Sequence, residues 1–290
     1  MPRFSTFGRI ALVSLHRQPF SLWFISAAVG CLCLGVQAQT TAPYSAGGSS
    51  QLQAATPQAL QSSTQAVTIA SMLQRMGGLP PKDSLATANV TVTAGRTSES
   101  GTMRILTRGT TQTLEEISIP SGMQRFVFSE GEGLRFSKDK TGGMSFEESL
   151  SAQSPLFILP LLSAQLSDSE SIIEDLGIDN LNDKGKNHFR VSKTFASNKQ
   201  LQHYSKFTTR DIWIDPLSGL ATRIAYERRR ASGAVPAIAV SVEYSDYRQI
   251  GGFLYPFSIR KFINGTLWAD IRIQTVVFDT NIPSSDFSGK

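Results

Sequence analysis

The residues of this chain that could carry chemistry are few. The three histidines are His16, His188 and His203, and no two of them stand at a spacing suited to a shared metal ion. A lone histidine in a strand-rich chain reads as a surface or hydrogen-bonded residue. Both cysteines, Cys31 and Cys33, lie near the N-terminus, so the remaining chain offers no disulfide, thiolate ligand or cysteine nucleophile. Glu115-Glu116 and Glu147-Glu148 are adjacent acid pairs. Neighbours on a strand point to opposite faces, so Glu115 and Glu116 cannot act together as an acid/base dyad. Asp211 and Asp215 share a parity but flank a turn, where capping accounts for them. No G-x-S-x-G elbow, P-loop, H-E-x-x-H or G-x-G-x-x-G is present. An enzyme is therefore not expected, and neither a cofactor nor a metal.

What remains is composition. Hydrophobic residues make up 40% of the chain and charged residues 18%, the balance of a globular domain. Phe occurs 17 times against 6 Tyr and 3 Trp, which favours apolar surface without a polar tip. The net charge is +5, and three of the positive charges are Arg3, Arg9 and Arg17, so residues 39–290 carry +2 (+5 less 3). That gives no footprint for nucleic acid. The run Arg228-Arg229-Arg230 reads as a solvated hairpin end rather than a phosphate or head-group site.

Residues 1–38 have the form of an export signal. Arg3, Arg9 and Arg17 precede an uncharged stretch from Gln18 to Gln37, which ends in Val36-Gln37-Ala38 with small residues where a signal peptidase needs them. The expected location is the periplasm. Two other readings stay open: an uncleaved membrane anchor, since the run is near the ~20 residues that span a bilayer, and lipidation at Ala28-Val29-Gly30-Cys31.

Residues 39–63 are rich in Gln, Ser, Thr and Ala and are expected to form a flexible leader. Val67, Ile69, Ala70, Met72, Leu73 and Met76 then follow helical spacing, ended by Gly77-Gly78. From Ala88 onward the apolar period is two, interrupted by turn residues, which predicts antiparallel meanders. Residues 146–166 break this pattern. They are largely apolar and contain Pro155 and Pro160, which predict two short helices rather than one rod. Asp215-Pro216-Leu217-Ser218-Gly219 and Asn264-Gly265 read as hairpin turns. The expected fold is α+β: a single strongly curved antiparallel sheet, a half-barrel of about ten or eleven strands over residues 64–288, with helices covering the concave face.

Three stretches resemble the periplasmic lipoprotein-carrier superfamily, the LolA/LolB-like half-barrels and their outer-membrane lipoprotein-sorting relatives. They are the N-terminal helix with Ser100-Gly101-Thr102-Met103-Arg104-Ile105, the hairpin from Ile212 to Ile224, and the segment from Val242 to Pro256. The resemblance implies an apolar concavity that holds acyl chains, no cofactor, and a lid that opens to transfer cargo. It also implies an arginine that ties the closed lid; Arg96 and Arg104 lie on early strands, and no motif assigns that role to either.

On this reading the protein is a non-catalytic carrier. The pocket wall is expected from Met103, Ile105, Phe126, Phe128, Val240, Val242, Ile271 and Ile273, and the lid from Phe157, Ile158, Leu161 and Leu162. The expected partners are lipid or acylated protein and the envelope transport machinery, with the chain acting as a monomer. A void of ~300–1,000 Å³ between sheet and helices is the size such a ligand needs. A filled interior would favour the alternative, a membrane-tethered sensor or envelope-assembly module without transported cargo.

Overall fold

The computed structural model describes residues 69–137, 140–153, 155–181, 184–229 and 236–288. Every described residue belongs to one compact unit within Gln53–Lys290. The expected signal, 1–38, and leader, 39–63, lie outside the described residues.

The described residues open with helix α1 over 69–76. Six strands follow: β1 (Asp83–Ala94), β2 (Thr97–Arg108), β3 (Gln112–Ile119), β4 (Gly122–Ser129), β5 (Glu132–Ser137) and β6 (Lys140–Gly143). Helices α2 (Phe146–Ala152) and α3 (Ile158–Ser167) interrupt them. The remaining strands are β7 (Ser171–Leu181), β8 (Lys184–Lys193), β9 (Arg210–Ile214), β10 (Ala221–Arg228), β11 (Ile238–Ile250), β12 (Phe253–Ile263) and β13 (Thr266–Phe278). Short 3-10 turns lie at Gln202–Phe207 and Ser284–Phe287.

All strands among the described residues join one antiparallel sheet in the order β6-β5-β4-β3-β2-β1-β13-β12-β11-β10-β9-β8-β7. It therefore has thirteen strands, not the ten or eleven expected. Short strands account for part of the difference: β6, Lys-Thr-Gly-Gly, carries no apolar alternation for a periodicity argument to detect. Two-residue turns fix the register of the long C-terminal hairpins. Asn264 and Gly265 have φ of 49° and 76°, and Gly251 and Gly252 have 54° and 90°, the left-handed conformations of a type I′ turn.

The sheet curls strongly. Glu148 of α2 lies 3.0 Å from Arg135 on β5 and 3.9 Å from Arg228 on β10. Those strands are eight steps apart in the sheet order, about 38 Å if the sheet were flat at ~4.8 Å per step. One short side chain can reach both only across a closed-up concavity.

The inner face of this curl holds the main core. Ala86, Ala88, Val90 and Val92 of β1 alternate inward and meet Met103, Ile105, Ile117, Val242, Ile259, Ala269, Ile271 and Ile273. Helix α1 presses Ile69, Met72, Leu73 and Met76 into them, and α3 adds Ile158, Leu159 and Leu162. The break between α2 and α3 falls at residues 153–157, around Pro155. Pro160 lies in the first turn of α3, where backbone N–H groups have no helical partner to lose.

A second, smaller core lies on the outer face. Leu85, Leu106, Leu114, Val127 and Leu134 stand opposite one another along five neighbouring strands. The C-terminal tail covers that row with Ile282 and Phe287. The buried carboxylate of Asp83 holds the tail by accepting from the Thr280 and Ile282 backbone N–H groups at 2.8 and 3.2 Å. Arg125 donates to the Asp286 carbonyl at 2.7 Å.

Candidate functional site

The two ends of the concavity differ in their cover. Under α3 the packing is tight. Phe157 stacks on Tyr255 with ring centroids 4.7 Å apart, and Ile158, Leu159 and Leu162 are fully buried. Under α2 a cavity of about 100 Å³ remains. Its walls are Phe126 and Phe128 of β4, Tyr226 of β10, Ile238 and Val240 of β11, Ile263 of β12, Trp268 of β13 and Ala152 of α2. Three charged residues share it: Glu115, Arg228 and Lys261.

The residues expected to form a pocket wall thus divide. Phe126, Phe128 and Val240 line the cavity. Met103, Ile105, Val242, Ile271 and Ile273 sit deeper, in the close-packed core, as do Phe157, Ile158 and Leu162. Leu161 is buried as well. The void is smaller than the expected 300–1,000 Å³ because α1, with its two flexible methionines, and α3 fill most of the concavity.

Helix α2 is held by polar ties. The Ser145 hydroxyl caps its start by accepting from the Glu148 N–H at 3.1 Å. On one side Gly133 N–H donates to Ser149 Oγ at 3.0 Å, and Arg135 pairs with Glu148. On the other, Arg229 N–H donates to Ser151 Oγ at 3.2 Å, and Arg228 approaches Glu148. Arg228 and Arg229 therefore stand against α2 rather than at a solvated hairpin end, while Arg230 lies outside the described residues.

Beneath α2 lies Arg210 on β9, buried on the inner face. It donates to the Thr208 carbonyl at 2.9 Å and to the Leu150 carbonyl near the end of α2 at 3.2 Å. Burial pulls its guanidinium below its usual pKa, opposed by the tyrosines Tyr226 and Tyr244. Tyr244, whose hydroxyl burial keeps protonated, donates to the Pro155 carbonyl at 2.6 Å. Arg210 thus ties the last turn of α2 to β9. Arg104 instead pairs with Glu116 on the outer face at 3.4 Å, and Arg96 lies in the β1–β2 turn. The missed signal is parity: in Arg210-Asp211-Ile212-Trp213-Ile214 a cation occupies the apolar, inward series.

The residues that could carry chemistry stand apart among the described residues. Among the described residues no three His, Cys, Asp or Glu side chains are placed to hold a metal ion. Glu115 faces inward while Glu116 faces out, as strand alternation requires. His188 stacks on Trp213 at 4.3 Å on the outer face, and Asp211 pairs with Arg190 at 2.9 Å. Asp215 accepts from the Leu217 and Ser218 N–H groups at 3.0 and 2.8 Å, the capping role its sequence position suggests. A wider cleft of about 420 Å³ on β9–β11 is lined by Arg190, Lys206, Asp211, Arg223 and Glu227. It is charged, and Arg190 and Asp211 are already paired with each other.

One curled antiparallel sheet with helices packed into its inner face is the LolA/LolB-like fold, and this chain has it. Three solved structures share the arrangement, each 12% identical in sequence. A LolA superfamily protein from Nitrosomonas europaea superposes with a TM-score of 0.50 over 77% of this chain and 97% of its own. A putative outer membrane lipoprotein-sorting protein domain from Vibrio parahaemolyticus gives 0.51 over 78% and 97%. A DUF1329 family protein from Desulfovibrio piger gives 0.51 over 79% and 98%. At this identity the likeness is one of fold. No family model matches the chain, and no curated protein matches it in sequence. Among the described residues no helix is long and apolar enough to cross a membrane.

Proposed function

We propose that the protein is an exported, non-catalytic binding module of the cell envelope, holding the acyl part of a lipid or acylated protein in the concavity beneath α2. The observation that carries this reading is the contrast in cover. The α3 end is sealed by apolar packing, whereas the α2 end leaves a largely apolar, partly open cavity under a helix held largely by hydrogen bonds and ion pairs. Such ties can be exchanged for water without exposing a core. In this reading α2 is the movable part of the lid, and Phe157, Ile158, Leu161 and Leu162 are its fixed part. Arg210 and Tyr244 tie the closed form. Phe126, Phe128 and Val240 contact ligand first, and Met103, Ile105, Val242, Ile271 and Ile273 form the floor that a longer chain would reach. Residues 1–38 direct export to the periplasm, and the chain meets the envelope transport machinery there as a monomer.

The closed cavity holds only about 100 Å³, a few water-sized groups at ~30 Å³ each. An acyl chain therefore requires α2 to move. The test is binding of an apolar fluorophore to delipidated protein, together with native mass spectrometry of protein taken from a bacterial envelope. Co-purifying acyl lipid and saturable probe binding support the reading; absence of both sinks it.

The filled concavity favours a second reading, a tethered sensor or assembly module with the same fold and no cargo. It predicts retention of Met1 in the membrane fraction and no bound lipid.

A further inference from the structure

Two charges in the α2 cavity have no ionic partner among the described residues. Glu115 is 3% exposed. Its Oε1 is shut off from solvent and accepts no hydrogen bond. Among the described residues no cation lies within ion-pair distance of it. Lys261, half-buried, has no acid within that distance either; its ammonium rests 5.3 Å from the centre of the Trp268 ring. The third charge differs, since Arg228 approaches Glu148 at 3.9 Å.

A buried carboxylate without a donor is costly, and native proteins satisfy almost all such groups. Glu115 and Lys261 arrive from β3 and β12, four steps apart in the sheet order, yet line the same small cavity. Opposite charges that share a cavity without touching match a ligand that carries both signs. A purely anionic head would leave Glu115 uncompensated, and a purely cationic one would meet Lys261. We infer that the α2 cavity takes a zwitterionic head group, its ammonium donating to Glu115 and its anionic group facing Lys261. The inference rests on the binding reading above and names the polar end of the ligand that reading calls for.

The experiment compares three single-chain lipids with the same acyl tail, measured by calorimetry on the delipidated protein. Their heads are glycerol phosphoethanolamine, glycerol phosphate and glycerol alone. The expected result is binding of the phosphoethanolamine lipid at least tenfold tighter than either of the others. Glu115→Gln should abolish its advantage over the phosphate lipid, and Lys261→Gln its advantage over the neutral one. Each variant is checked by circular dichroism, and the two test the inference independently, so loss of one to misfolding leaves the other. Equal affinity for all three lipids overturns the head-group assignment and leaves the binding reading standing, as does unchanged selectivity in both variants. Failure of all three to bind overturns the binding reading itself.

Discussion

Single residues decide most where a charge occupies an inward position. Arg210, Glu115 and Lys261 each stand in a strand series mostly apolar on that side, and each reaches α2 or the cavity beneath it. Asp215 shows the opposite case, a charge at a turn on the surface. Its carboxyl is held down to about 2 from an ordinary value of 3.8, first by Lys186 and then by the Ser218 N–H. The unfolded chain therefore binds this proton more readily than the folded one. The stabilisation is complete above about pH 4 and is lost as pH falls through about 2. Urea midpoints measured from pH 5 to pH 2 should fall less steeply for Asp215→Asn than for the parent. Parallel curves would show that Asp215 does not carry this dependence.

At the scale of elements, the contrast is between α2 and α3. Phe-Glu-Glu-Ser-Leu-Ser-Ala gives α2 polar contacts to both rims of the curl, while Ile-Leu-Pro-Leu-Leu gives α3 a buried apolar face. Burying a Leu or Ile contributes ~1.5–3 kcal/mol, whereas exposed or half-exposed ion pairs contribute ~0–1 kcal/mol. The helices should therefore open separately. Hydrogen exchange is expected to be faster across 149–152 than across 161–164, and Arg210→Met should raise exchange in α2 at least tenfold while leaving α3 unchanged. Equal exchange in both helices would mean that the cover moves as one body. The two-helix break was legible from Pro155. The division of labour was not, because it depends on what each helix meets across the sheet.

For the folded unit as a whole, the C-terminal tail matters more than its length suggests. Ile282 and Phe287 close the outer-face row that runs from Leu85 to Leu134. Phe287 is 2% exposed, so Phe287→Ala should lower stability by about 3 kcal/mol, read from urea unfolding. A loss under ~1 kcal/mol would show that the tail is not part of the cooperative unit. In sequence this segment shows one apolar anchor in a loop, with no sign of the surface that receives it.

Local chemistry was enough to give antiparallel strands, the hairpin turn at Asn264-Gly265 and the helical spacing through Met76. These depend on backbone preference and side-chain parity, which a short window of sequence contains. The thirteen-strand count, the space left under α2 and the placing of Glu115 and Lys261 around one cavity were decided by the tertiary structure. All three follow from pairing β1 with β13, strands at opposite ends of the domain sequence. That pairing makes β6-to-β1 and β13-to-β7 one sheet, and only the curl of the joined sheet sets which side chains face each other across it.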